Sequence, residues 1–172
     1  MRLFIGIEIP DEIKEHIFNF IRPLQISPKG WEKPHDYHQT LLFLGDTSEE
    51  ALVEIIKRLN QILFHPFELE LNAFNFFSRR ILFLGFAESV ELLELKSLVD
   101  LAFPEWLRPF EKVFVPHVTI KRWQRYEFDF LESGIKSRIF PPQKFYVTGI
   151  ALFKSEKNSL NHKYHVIHKV RF

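Results

Sequence analysis

A chain that writes His-x-Thr-apolar twice, each time inside a run of strand-forming residues, commits itself to two strands of one design. The first copy is His38-Gln39-Thr40-Leu41, which continues through Leu42-Phe43-Leu44 and stops at Gly45-Asp46. The second is His117-Val118-Thr119-Ile120, preceded by Val113-Phe114-Val115-Pro116. Side chains alternate faces along a strand, so His38 shares a face with Thr40, and His117 with Thr119. Gln39 and Leu41 point the other way, as do Val118 and Ile120, and the apolar residues there can anchor each strand in a core. An imidazole beside a hydroxyl sets a proton carrier next to a hydrogen-bonding group. Two such pairs facing each other would make a two-ended acid/base site with an anion held between the hydroxyls. A single copy would mean little, because Thr favours strands and a His is often a packed core residue. The repetition carries the reading.

The rest of the chain supplies a scaffold for two such strands. Leu3 to Ile9 reads as a buried strand ending at Pro10, and Pro10-Asp11-Glu12 opens a helix with its acidic residues at the positive end. Ile13, Ile17, Phe20 and Ile21 give that helix its apolar stripe. Arg22 to Asp36, with three prolines and a glycine, is a loop. Thr47-Ser48-Glu49-Glu50 reads as a capping box with Thr47 as N-cap, starting a helix that runs to about Leu63. Phe67 to Ala73 alternates as a half-buried strand, Arg79-Arg80 interrupts the apolar stretch, and Ile81 to Phe86 resumes it, a region of two or three strands. Ser89 caps a third helix, Phe103 to Lys112 is a loop, and a helical turn falls within Phe130 to Arg138. Lys144 to Phe153 reads as one strong strand, Ser155 to Asn161 as a polar turn, and His162 to Phe172 as a last strand. This order predicts an α+β fold with mostly antiparallel sheets, residues 1–172 forming a single domain of two lobes. One motif strand lies in each half, which puts the site in the cleft between them.

Composition narrows the partners. The net charge is +1, too small for a broad phosphate-tracking surface, so any nucleic-acid contact is local, at an end or a short single strand. There is no Cys, which removes disulfides, thiol nucleophiles and Cys-ligated zinc. Most of the 20 Phe belong to the core, with one or two available to stack on a base. No apolar run approaches the roughly 20 residues of a transmembrane helix, and the N-terminal apolar run is too short for a signal peptide. The expectation is a soluble, cytoplasmic protein, monomeric, with no membrane partner.

These motifs and their flanks resemble the RNA 2′,3′-cyclic phosphodiesterases of the two-histidine phosphoesterase superfamily, the bacterial and archaeal group also labelled 2′-5′ RNA ligase-like. Arg2 to Pro10 is similar to that family's first strand, His38 to Gly45 to its first motif, and Pro116 to Arg122 to its second, including a basic residue five places after the His. Leu152 to Glu156, with Tyr164, is similar to its closing strands. Gly6 stands where Ala is common in relatives, a difference expected to be without functional cost. The resemblance implies two pseudo-symmetric lobes, each a mostly antiparallel sheet with helices outside, and hydrolysis of a 2′,3′-cyclic phosphate to a 2′-phosphomonoester.

By that resemblance His38 is the proton donor and His117 the proton acceptor; the near-symmetry of the motifs leaves the choice open on sequence alone. Thr40 and Thr119 would bind phosphate oxygens, and Arg122 would clamp charge. On an ideal strand a residue five places on faces away from its His, so Arg122 reaches the site only across a bulge or at a strand end. No metal or cofactor is expected, and the partner is an RNA with a 2′,3′-cyclic phosphate end or a small cyclic nucleotide. Two rival readings remain: a non-catalytic module that binds RNA ends, and a 2′-5′ ligase, the same site run in reverse. His162, His165 and His168 recur every third residue, a spacing that alternates faces on a strand and so argues against a metal site. His16, His35 and His65 are read as surface residues, Tyr164 as a packed side chain ahead of one that touches the site, and Arg79 and Arg80 as a solvated turn ahead of an RNA contact.

Overall fold

A computed structural model describes residues 1–25, 29–107, 113–123, 128–157 and 162–172. Among these residues, eight strands and four α-helices follow in the order β1 (Arg2–Glu8), α1 (Asp11–Ile21), β2 (His38–Asp46), α2 (Glu49–Leu59), β3 (Phe67–Phe77), β4 (Ile81–Phe86), α3 (Val90–Ala102), β5 (His117–Arg122), α4 (Phe128–Lys136), β6 (Gln143–Val147), β7 (Gly149–Lys157) and β8 (His162–Arg171). The expected α+β fold is observed. All the strand pairings are antiparallel and form one curled sheet in the order β6-β3-β4-β5-β2-β1-β7-β8. Its halves, β8-β7-β1-β2 and β5-β4-β3-β6, each carry one motif strand at the inner position. They meet where β2 pairs with β5, at Gln39 opposite Val118.

The helices strap the halves together. After β1 the chain crosses, and Phe20 of α1 stacks on Phe74 of β3, ring centroids 5.3 Å apart, and meets Phe140 edge-on. After β4 it crosses back, and α3 packs against β2. The α2–α3 pair is tied by Arg58, which bonds the Ala102 carbonyl and the Glu105 carboxylate. With helices on one face, the large buried core lies beneath them, and a smaller cluster of Phe4, Ala151 and Phe153 forms on the opposite face of the first half. No helix among the described residues is long and apolar enough to cross a membrane.

Several boundaries differ from expectation. Ser48, not Thr47, caps α2: its Oγ accepts the Ala51 N–H, while the Thr47 hydroxyl donates to the Gly45 carbonyl. The helix ends at Leu59, and Leu63 is 86% exposed. The Phe67–Phe86 region is a two-stranded hairpin turning at Ser78 and Arg79, both in the left-handed region. The apolar run Lys144 to Phe153 is two strands, interrupted at Thr148, that belong to opposite halves of the sheet. Both strands are rich in apolar residues, so their sequence does not betray the change of partner. Ser155 and Glu156, read as turn, extend β7, and residues 158–161 of that turn lie outside the described residues. The Arg22–Asp36 loop contains two short 3₁₀ turns, with residues 26–28 outside the description; in the Phe103–Lys112 loop, Pro104–Trp106 forms another and residues 108–112 lie outside it.

Gly6 has a structural reason. A Cβ there would stand 2.6 Å from the backbone oxygen of Gln39, so glycine permits β2 to lie this close to β1.

Candidate active site

The two motif strands share an irregularity that sets their side chains. In the β1–β2 ladder Ile5 faces Leu42 and Gly6 faces Thr40, so Leu41 is an extra residue on β2. In the β4–β5 ladder Leu82 faces Lys121 and Phe83 faces Thr119, so Ile120 is extra on β5. Each bulge lies three residues after its His. It buries two consecutive side chains, Leu41-Leu42 and Ile120-Lys121, and resets the alternation. The residues five after the histidines, Phe43 and Arg122, therefore return to the face of His38, Thr40, His117 and Thr119. The condition under which Arg122 could reach the site is met by this bulge.

All five expected residues, His38, Thr40, His117, Thr119 and Arg122, line one cleft of about 320 Å³. Arg122 Nη2 lies 3.4 Å from Thr119 Oγ1, and its Nε donates to Glu32 Oε1 at 3.1 Å. The main chain at this point is fixed by the loop before β2: Arg122 N–H donates to the Gly30 carbonyl at 2.7 Å. Gly30 has φ +79°, and a Cβ there would collide with the Arg122 carbonyl oxygen, so only glycine fits. Burial raises the Glu32 carboxyl above its ordinary value against the opposing pull of Arg122.

The imidazoles are held in the same way. His38 Nδ1 lies 2.6 Å from the Asp36 carbonyl, and His117 Nδ1 lies 2.7 Å from the Val115 carbonyl. A carbonyl only accepts, so each Nδ1 carries the proton and each neutral ring keeps Nε2 as its free base. Aromatic rings seat both. His38 has Phe4 at 4.6 Å, Phe153 at 5.5 Å and Tyr164 edge-on at 4.7 Å; His117 has Phe77 at 5.0 Å and Phe83 at 5.5 Å. Desolvation by these surroundings lowers His38 to about 4, opposed by its bond to Asp36 and reinforced by the charge of Arg122. His117 is lowered for the same leading reason.

Reading the sequence missed Phe43, Arg2 and Ser155, which also border the cleft, and Glu32 and Gln39 behind it. Phe43 could have been found by aligning the two motifs, since it stands where Arg122 does. Tyr164, expected to pack more than to touch the site, does both: it packs on His38 and borders the cleft, and its N–H donates to Asp36 Oδ1 at 3.2 Å. The other histidines go elsewhere: His16 to Gln143, His35 beside Asp36, His65 stacked on Phe64, His165 beside Glu156 and His168 to Asn60. The side chain of His162 lies outside the described residues. Arg79 covers the Phe128 ring at the hairpin turn and is not among the described residues that line the histidines' cleft.

A family model described as the 2′-5′ RNA ligase superfamily matches residues 9–159. A protein of Thermotoga maritima named RNA 2′,3′-cyclic phosphodiesterase is 29% identical, over 100% of this chain and 96% of its own. Namesakes in Aquifex aeolicus and Archaeoglobus fulgidus are 30% and 32% identical, covering 97% and 73% of this chain and 95% and 74% of theirs. A crystal structure from Thermus thermophilus superposes with TM-score 0.79 at 25% identity over 99% of this chain and 97% of that one. The apo form of E. coli LigT, at 22% identity, shares the fold with TM-score 0.78 over 99% and 96% of the two chains.

Proposed function

From the premise that this chain belongs to the 2′-5′ RNA ligase superfamily and is an RNA 2′,3′-cyclic phosphodiesterase like those relatives, we propose that it opens the cyclic phosphate with two opposed histidines and no metal, leaving a 2′-phosphomonoester. The observation that carries this reading is the convergence of both imidazoles, both threonines and Arg122 on one cleft.

His117 Nε2 takes a proton from water as its oxygen attacks phosphorus. His38, protonated at Nε2, gives its proton to the departing O3′, and the P–O3′ bond breaks. Thr40 and Thr119 donate to the non-bridging oxygens and Arg122 balances the added charge. His38 enters this step as a cation although burial lowers its value to about 4. The arriving phosphate supplies the missing stabilisation: its negative charge offsets Arg122 and favours the imidazolium. Because O3′ leaves on the His38 side, the nucleoside lies over the first half, where Phe43 offers a ring that is 51% exposed.

The test is hydrolysis of a panel of 2′,3′-cyclic mononucleotides and oligomers in EDTA, with the product identified as 2′- or 3′-phosphate. The expected result is a 2′-phosphate at undiminished rate. Activity that disappears in chelator and returns with added metal would overturn the mechanism. Tight binding of cyclic ends with no turnover would favour an RNA-end binding module instead.

A further inference from the structure

Gln39 is a polar side chain in a place the strand pattern assigns to the core. It is 0% exposed, and its partner across the seam between the halves, Val118, is apolar and equally buried. The two occupy matching positions in the two motifs, each between the His and the Thr. A buried amide is retained at no cost only when all its polar atoms are answered. Here the carbonyl Oε1 accepts the backbone N–H of His117 at 2.5 Å, and Nε2 donates to the backbone carbonyl of Thr40 at 2.6 Å. The neighbours fix the orientation of the amide, since a backbone N–H only donates and a carbonyl only accepts.

The first of these contacts crosses the seam, from the Gln39 side chain of β2 to the main chain of β5, and the second ties the same amide to the next residue of its own strand. One is at the residue bearing the second imidazole, the other at the residue bearing the first hydroxyl. Among the described residues β2 and β5 otherwise meet at a single register pair, Gln39 with Val118. The seam is thus short, and the distance between two catalytic groups is set across it. Gly6 lets β1 lie close against the main chain of Gln39, since a Cβ there would stand 2.6 Å from the Gln39 carbonyl oxygen.

We infer that Gln39 is the positioning residue of this site: its side-chain amide bridges the two motif strands and sets the spacing at which His38 and His117 face one phosphate. The inference rests on the two-histidine reading above. Gln39 does not touch substrate; it acts through the main chain of His117 and Thr40.

The experiment compares wild type with Gln39→Met, which fills the space without hydrogen bonds, and with Gln39→Glu. Ile55→Val, a core change on the buried face of α2, serves as a destabilised control. Rates are taken per folded molecule well below each melting temperature. Displacement of a reacting group by about 1 Å costs up to about 10²-fold, so kcat of Gln39→Met should fall by about 10–100-fold while Ile55→Val keeps the wild-type value. A carboxyl in this buried seat ionises at raised pH; protonated, it donates to Thr40 and accepts from His117 as the amide does, and ionised it loses the donor. The kcat ratio of Gln39→Glu to wild type should therefore fall as pH rises, whereas that of Gln39→Met should be flat.

A second readout needs no turnover: inorganic phosphate is titrated while the C2–H signals of His38 and His117 are followed by NMR. In wild type both rings should respond with one affinity; in Gln39→Met that affinity should weaken by about tenfold or more, since a displaced pair no longer grips one anion. Folded Gln39→Met with kcat within twofold of wild type, or an unchanged phosphate affinity, would overturn the bridge. So would a Gln39→Glu ratio as flat as that of Gln39→Met. If wild type hydrolyses no cyclic phosphate, the functional reading fails, and the phosphate titration still decides the role of Gln39.

Discussion

At the scale of the residue, the proposed chemistry rests on two imidazoles that share a tautomer and differ in their surroundings. Replacing either His38 or His117 by Ala should lower kcat by about 10²–10⁴-fold, with an unchanged circular dichroism spectrum, if both transfer protons. Comparable turnover in either variant would remove that histidine from the mechanism. Burial depresses both rings below 6.5, His38 to about 4, so the optimum of kcat/KM, which reports the free enzyme, should lie on the acid side of 6.5. The optimum of kcat should lie higher, because the bound phosphate favours both imidazolium forms. Full pH–rate profiles measure both, and coincident optima would contradict the proposed role of the bound anion.

The same burial makes His38 a stability element with a definite sign. Its folded value is below its unfolded one, so as pH falls through about 6.5 the unfolded chain takes up a proton that the folded chain refuses until about 4. Folding stability is lost across that window. His38→Phe, in a seat already lined by Phe4, Phe153 and Tyr164, should lack this loss. The difference in urea midpoint between wild type and variant should therefore change between pH 6.5 and pH 4 in the variant's favour.

At the scale of the element, legibility followed the range of the interaction. The His-x-Thr pattern, the Ser89 cap and the amphipathic α1 are local facts, written within a few residues, and the structure keeps them. The bulges at Leu41 and Ile120 are not local. They arise because β1 and β4 pair out of step with the motif strands, and nothing in His38–Phe43 or His117–Arg122 alone announces that. The proximity of Arg122 to the site was conditional for that reason. The switch at Thr148 is likewise a matter of which neighbour each strand finds. The α2 start failed on a smaller point: Thr47 and Ser48 are both good caps, and the main chain chose the second. Ser48→Ala should therefore cost about 1 kcal/mol and Thr47→Ala less than that through capping, a difference measurable by urea denaturation.

At the scale of the whole molecule, size and charge limit how much of an RNA the protein can hold. The cleft of about 320 Å³ suits a terminal nucleotide more than a strand, and a net charge of +1 gives little overall attraction for a long polyanion. Each phosphate neutralised by a single-stranded ligand contributes about −0.7 to the slope of log affinity against log salt. A site that engages the cyclic phosphate and little else should show a slope near that of one or two phosphates, the same for a mononucleotide as for a ten-nucleotide RNA. KM values for both substrates at several salt concentrations provide the measurement. A steeper slope for the longer RNA, with a lower KM at low salt, would mean that the chain grips the backbone beyond the end. The functional reading would then have to move from a terminal-phosphate enzyme toward one that selects its RNA by length.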